Sequence, residues 1–197
     1  MLNAGDTAPD FELPADDGTV FSLEKARGKN VVLYFYPKDD TPGCTREGIE
    51  FSGALELFDS LGAVVIGVSK DSIAAHCRFR DKYKLRVRLL SDTNLAVHKA
   101  YGAWGMKTMY GQAREGTIRS TFLIDPGGKI TKVWPSVKVD GHADAVLAAL
   151  GGTQSPTAKK PAAAKTPAAK KPAAAKTPAA KKPAAAKKPA AKKPIAK

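Results

Sequence analysis

The stretch Tyr34-Phe-Tyr-Pro-Lys-Asp-Asp-Thr-Pro-Gly-Cys-Thr-Arg-Glu47 joins an apolar run to a Pro/Gly turn and delivers Cys44 at the end of it. Val31 to Tyr36 is β-branched and aromatic without polar alternation, the pattern of a strand buried on both faces of a sheet. From Thr45 onward the spacing turns helical, with Ile49, Leu55 and Phe58 as apolar positions and Glu47, Glu50 and Glu56 between them. Cys44 is therefore expected in or just before the first turn of a helix. Unpaired backbone N–H groups and the positive end of the helix dipole collect there, and both favour a thiolate over a thiol. Pro37 and Pro42 fix the turn, Gly43 removes a side chain from the approach, and Thr41 offers a hydroxyl three residues before the sulfur. Thr41 stands three residues before Cys44 and Glu47 three after, so there is no Cys-x-x-Cys pair and dithiol exchange of that kind is excluded. A single nucleophile remains.

Upstream, Asp10-Phe-Glu-Leu13 and Thr19-Val-Phe-Ser22 alternate around Asp16-Asp-Gly18, a hairpin pattern. Downstream, Gly62 precedes a second buried strand, Ala63 to Val68. Ser69 to Tyr83 opens with Asp71-Ser72 as capping residues and continues as a helix containing Ile73, Cys77 and Phe79. Leu89-Leu90 is a short strand and Thr93 to Tyr101 a short helix ended by Gly102, whereas Gly102 to Gly116 is glycine-rich and carries no assignable period. Ile118 to Ile124 and Lys129 to Trp134 flank Asp-Pro-Gly-Gly, which predicts an antiparallel hairpin. His142 to Leu150 closes the domain as a helix stopped by Gly151-Gly152. Strands alternating with helices, then a hairpin and a helix, indicate an α/β sandwich. His76, His98 and His142 fall at separate helix-like places with no shared partner pattern and read as surface or interhelical residues, and Trp104 and Trp134 as core or rim.

The chain of 197 residues carries 32 Lys and Arg against 19 Asp and Glu, but residues 153–197 alone hold 13 Lys and no acid, leaving 19 of each sign in residues 1–152. The composition thus describes one neutral domain, 1–152, large enough for a single core, and a basic tail, 153–197. Met1-Leu-Asn-Ala-Gly-Asp6 lacks the basic start and apolar stretch of a signal peptide, and no segment approaches membrane-spanning length, so a cytoplasmic protein without a membrane partner is expected. Two cysteines, 33 residues apart, are too few for a secreted disulfide scaffold and lack metal-ligand spacing. In a reducing compartment a disulfide between them would be transient and catalytic. No phosphate loop, Ser/His/Asp order or metal cluster is present, and thiol chemistry needs no bound cofactor.

In the tail, Lys159 to Ala169 repeats at 170–180 and again at 181–191 with Lys188 in place of Thr, a period of eleven with Pro every five or six residues. Proline at that density prevents a continuous helix and there is almost nothing to bury, so disorder is expected. With no aromatic residue and only Lys as cation, the tail has no stacking platform and no forked donor for base edges. Nucleic-acid binding through 153–197 would be phosphate-driven and non-specific; a solvated solubility tail is the other reading. The composition is similar to the tails of linker histones.

Pro37-Lys-Asp-Asp-Thr41-Pro-Gly-Cys44 matches the P-x-x-x-T-x-x-C motif of peroxiredoxins. With Ala8-Pro-Asp-Phe11, Gly67-Val-Ser69, Leu89-Leu-Ser-Asp92 and Arg119-Ser-Thr-Phe-Leu-Ile-Asp125 in order, the chain from about Gly5 to Leu150 resembles the bacterioferritin-comigratory (PrxQ) branch of that family. The resemblance implies a thioredoxin-like fold and a thiol-dependent peroxidase acting on hydrogen peroxide and organic hydroperoxides. It implies Cys44 as peroxidatic nucleophile, Pro37, Thr41 and Gly43 shaping its surroundings, and thioredoxin or a similar thiol as reductant. Arg119, as the cation beside the sulfur, comes from the resemblance alone, since spacing does not select it from the 19 basic residues of the domain.

Attack would leave a sulfenic acid on Cys44 that a second thiol has to capture. One form of the branch carries that cysteine five residues on, where this chain has Ile49. Another carries it on the helix after the second core strand, where this chain has Cys77. The register differs, because the position after Phe79 is Arg80 and Cys77 lies one turn earlier on nearly the same helix face. Cys77 as resolving residue, a one-cysteine enzyme served by an external thiol, and a buried structural Cys77 all fit the sequence. A monomer is expected. Two other classes also fit: a nucleic-acid-binding protein carried by the tail, and a peroxide sensor that signals through Cys44 oxidation.

Overall fold

The apolar run at Val31 to Tyr36 lacks polar alternation because it occupies the middle of a five-stranded sheet and is covered on both sides. The computed structural model describes residues 1–109 and 112–151. The boundary expected at residue 152 and the disorder expected beyond it lie outside the described residues. The elements follow as β1 (Glu12–Pro14), β2 (Val20–Ser22), β3 (Asn30–Phe35), α1 (Pro42–Ser60), β4 (Ala63–Ser69), α2 (Ile73–Tyr83) and β5 (Arg88–Ser91). They continue with α3 (Ala96–Ala100), β6 (Trp104–Met109), β7 (Gln112–Thr117), β8 (Ser120–Ile124), β9 (Ile130–Trp134) and α4 (His142–Ala149).

The central sheet has the order β5-β4-β3-β8-β9. β3 runs parallel to β4, with Val32 opposite Val65, and β4 parallel to β5. β8 is antiparallel to both β3 and β9, with Val32 opposite Leu123. Because side chains alternate along a strand, β3 feeds two cores. Val31, Leu33 and Phe35 face a layer made by the β1–β2 hairpin and Val97 and Tyr101 from the α3 region. Val32, Tyr34 and Tyr36 face Phe51 and Phe58 of α1, Phe79 of α2 and Val146 and Leu147 of α4. This is the α/β thioredoxin-like arrangement expected: a mixed sheet with helices against it.

Three expectations need correction. On α1 the inward stripe is Cys44, Glu47, Phe51 and Phe58, spaced three, four and seven apart, so Glu47 is buried while Ile49 is exposed. Of the two places expected for the histidines, the surface is ruled out: His76, His98 and His142 are all buried, the first two paired with the buried carboxylates of Asp39 and Asp92, and His142 of α4 lies between helices, against Phe51 of α1. Finally, the stretch Gly102 to Gly116 holds the antiparallel pair β6–β7, with Trp104 opposite Thr117.

Candidate active site

β3 ends at Phe35, and Pro37, half-buried just beyond it, stops the ladder. The chain then crosses to α1, with Thr41 as the extended residue before the helix and Pro42 at its first position, where a missing N–H is not needed. Cys44 is therefore the third residue of the helix, 2% exposed. Its sulfur is a free thiol.

Arg119, between β7 and β8, brings its guanidinium to this point. Nη2 donates to Cys44 Sγ at 3.2 Å, while Nη1 is ion-paired with Glu47 one helical turn further on. One planar fork thus spans sulfur and carboxylate, a geometry available to Arg and not to Lys. Gly43 is what makes room: a Cβ there would stand 3.3 Å from Arg119 Nη2. Thr41, in the turn before the helix, gives its hydroxyl hydrogen to Lys38 O at 3.0 Å, which leaves its oxygen only lone pairs to offer.

The electrostatics are those of a buried carboxylate facing a half-buried guanidinium. Burial works against charge on Arg119, but Glu47 and Cys44 outweigh it and its pKa is raised. Burial lifts Glu47 to about 7 in spite of the guanidinium, and its second carboxylate oxygen has no partner among the described residues. His142, packed edge-on to Phe51 and hydrogen-bonded to Thr121, is pushed down to about 4 by burial and then by the charge of Arg119.

The structure brings together Cys44, Gly43 and Arg119, with Thr41 and Pro37 in the loop that leads to them. Cys77 is engaged elsewhere. It is a half-buried free thiol on α2 whose Sγ donates to Asp16 O in the β1–β2 turn at 3.4 Å, the same carbonyl that accepts from Arg80 Nη1 at 2.7 Å. Glu47 is the residue sequence reasoning missed. Its place at i+3 from Cys44 and i−4 from Phe51 was the available signal, a carboxylate on the apolar stripe. Among the described residues no group of three or more His, Cys, Asp or Glu is arranged to hold a metal ion. No helix there is long and apolar enough to cross a membrane.

A lone thiol at a helix start, answered by a half-buried guanidinium on a thioredoxin-like sheet, is the architecture of a thiol peroxidase and not of a dithiol exchanger. Comparison with known proteins agrees. Residues 4–133 match the AhpC/TSA family, and the chain belongs to it. Within that family it is a peroxiredoxin of the Bcp (PrxQ) type. A bcp peroxiredoxin of Coxiella burnetii is 48% identical over 149 residues, covering 76% of this chain and 99% of that one. Peroxiredoxin Bcp of Bacillus subtilis is 44% identical, covering 76% and 95%. Among solved structures, a Cys-to-Ser variant of Xanthomonas campestris peroxiredoxin Q has a TM-score of 0.71 at 43% identity, covering 76% and 98%. Another from the same organism, a bacterioferritin comigratory protein described for alkyl peroxide reduction, has a TM-score of 0.68 at 45% identity, covering 72% and 90%.

Proposed function

We infer that Cys44 is the nucleophile of peroxide reduction and that Arg119, Thr41 and the backbone at Gly43 and Cys44 bind the peroxide. The observation that carries this reading is the guanidinium of Arg119 against Cys44 Sγ at the head of α1. A Cys44 thiolate attacks the terminal oxygen of ROOH in line with the O–O bond. That bond breaks, an S–O bond forms, and the departing RO⁻ takes a proton, so that Cys44–S⁻, ROOH and H⁺ give Cys44–SOH and ROH. Arg119 and backbone N–H groups at the helix start oppose the charge that develops on the leaving oxygen. Thr41, its hydrogen already given to Lys38, accepts the O–H of the peroxide and so orients it. Hydrogen peroxide and organic hydroperoxides both fit a site that contacts only the O–O–H unit.

The sulfenic acid condenses with a thiol to a disulfide and water, and two electrons from a dithiol reductant of the thioredoxin kind restore the thiols. Cys77 is our candidate for the resolving thiol. Since its sulfur is held by the β1–β2 turn, Cα atoms would have to come within roughly 7 Å of each other for the bond to close, which requires α1 and α2 to loosen at their starts. The reading includes a cytoplasmic monomer and a tail that binds polyanions without sequence preference.

The test is intact mass and free-thiol count after the reduced protein meets one equivalent of hydrogen peroxide, with Cys44→Ser and Cys77→Ser alongside. Loss of both thiols with loss of two hydrogens, abolished by either substitution, is the expected result. One added oxygen in wild type, unaffected by Cys77→Ser, assigns resolution to an external thiol. Absence of any reaction in the wild type overturns the peroxidase reading.

A further inference from the structure

Cys44, only 2% exposed in the first turn of α1, leaves no room for a second thiol to reach its sulfur. If Cys44 acts as inferred above, the segment that carries it has to be held still for attack and then released. The segment is the crossing between β3 and α1, and two successive side chains hold it to α2 from opposite sides.

Asp39 is the inner grip. It is buried, and its carboxylate accepts from Tyr36 Oη at 2.8 Å and meets His76 Nδ1 of α2 at 2.8 Å. The other nitrogen of that imidazole faces Leu90 O on β5 at 3.2 Å, so the ring spans loop, helix and sheet. The Asp39 backbone N–H donates to Asp71 Oδ2 at 2.8 Å, just ahead of the same helix. Burial, and then the charge of Asp39, raise the Tyr36 phenol well above its ordinary range and keep it a donor.

Asp40 is the outer grip. It holds a left-handed backbone at φ 56°, which aspartate tolerates better than most residues, and so turns its carboxylate outward to the far end of α2. There it accepts from Lys82 Nζ at 2.7 Å and from the Tyr83 hydroxyl.

We propose that Asp39 and Asp40 are positioning residues for peroxide reduction, clamping the Cys44 loop to α2 during attack and releasing it for resolution. The bonds that set Cys44 against Arg119 are the ones that delay the meeting of its sulfenic acid with a thiol. Loosening the clamp therefore moves two rates in opposite directions, which simple destabilisation would not do.

The test compares wild type with Asp39→Asn, His76→Gln and the surface variant Asp40→Asn. Stopped-flow mixing with hydrogen peroxide gives the rate of Cys44 oxidation, and, with every protein in a Cys77→Ser background so that the sulfenic acid persists, mixing it with a fixed concentration of dithiothreitol gives its rate of capture. The inner variants are expected to oxidise about tenfold more slowly, the effect of one buried charge-assisted hydrogen bond, and to be captured severalfold faster. Their yield of sulfinic acid in excess peroxide falls accordingly. Asp40→Asn, whose grip is exposed, is expected to slow oxidation and speed capture as the inner variants do, each by about two- to threefold. Both rates falling together, or neither moving in any variant, overturns the proposal.

Wild type failing to oxidise would instead sink the peroxidase reading. The clamp is then judged by alkylation of Cys44 with iodoacetamide in a Cys77→Ser background: faster labelling in the variants supports it and unchanged labelling overturns it.

Discussion

Arg119 does two jobs with one planar group, touching the Cys44 sulfur with Nη2 and the Glu47 carboxylate with Nη1. Lysine has a single ammonium and cannot make both contacts in the fork geometry. Arg119→Lys is accordingly expected to retain the fold and to lower the second-order rate of Cys44 oxidation by about 10- to 100-fold, read by stopped-flow fluorescence; a rate within twofold of wild type would show that charge alone suffices. Gly43→Ala tests the same fork by crowding, since the new methyl would press on Nη2 at 3.3 Å. A several-fold loss of rate with little loss of stability is expected. At this scale the sequence was informative where chemistry is local. Cys44, Thr41 and Gly43 are legible because a turn and a helix start give a thiol a purpose within eight residues. Arg119 became legible only through the family motif, because nothing in its own neighbourhood points to Cys44. Glu47 was misplaced by reading polar residues as outward, although its spacing from Cys44 and Phe51 puts it on the buried stripe. His76 and His98 were misread because burial of an imidazole is made tolerable by a carboxylate partner, and for His76 that partner, Asp39, lies on another element.

α1 and α4 lie on the same face of the sheet, and Glu47 of the one and His142 of the other are strongly shifted by burial, in opposite directions. Glu47 on α1 is raised from 4.5 to about 7, so it favours the folded state when protonated, and that contribution is lost as pH rises from about 4.5 through 7. His142 on α4 is lowered from 6.5 to about 4, so its contribution is present above about 6.5 and lost as pH falls through 4. Each effect is on the order of 3 kcal/mol over its window, and where the windows overlap the two slopes oppose. Urea unfolding as a function of pH is expected to show this by difference. Relative to Glu47→Gln, wild type loses stability from pH 4.5 to 7; relative to His142→Gln, it loses stability from pH 6.5 to 4. Equal pH profiles in wild type and either variant would refute the corresponding assignment.

The seat of α1 depends on packing at its other side. Tyr34 stacks on Phe51 at 4.7 Å between ring centroids, and Gly67 of β4 leaves space for that ring. A Cβ at residue 67 would approach Tyr34 to 2.6 Å, so Gly67→Ala is expected to destabilise by about 1–3 kcal/mol in thermal or urea unfolding. Elements with strong periods were legible in advance: the strand at Val31, the helix after Cys44, the hairpin around Asp-Pro-Gly-Gly. The β6–β7 pair was not, because it stands outside the five-stranded sheet and its glycine-containing strands show no sustained alternation of apolar and polar residues.

For the whole molecule the decisive fact is how charge is divided. Residues 1–152 carry 19 groups of each sign, and residues 153–197 add 13 lysines with no acid. The core described above is assembled by residues 8–147. Deleting 153–197 is therefore expected to leave the unfolding midpoint and the peroxide rate within error of the full chain. Polyanion binding should behave in the opposite way. Lysines spaced along a proline-punctuated repeat can neutralise phosphates but cannot read bases, so affinity for duplex DNA should be independent of sequence and governed by counterion release. With six or more lysines engaged, affinity falls on the order of a thousandfold between about 50 and 200 mM salt. A mobility-shift titration across that range, with the full chain and the deletion side by side, separates the outcomes. A shift that vanishes with salt and with the tail supports a peroxidase held near polyanions by 153–197. A shift that survives deletion moves the binding surface onto the domain, and no shift at low salt leaves the tail as a solubilising appendage of a neutral enzyme.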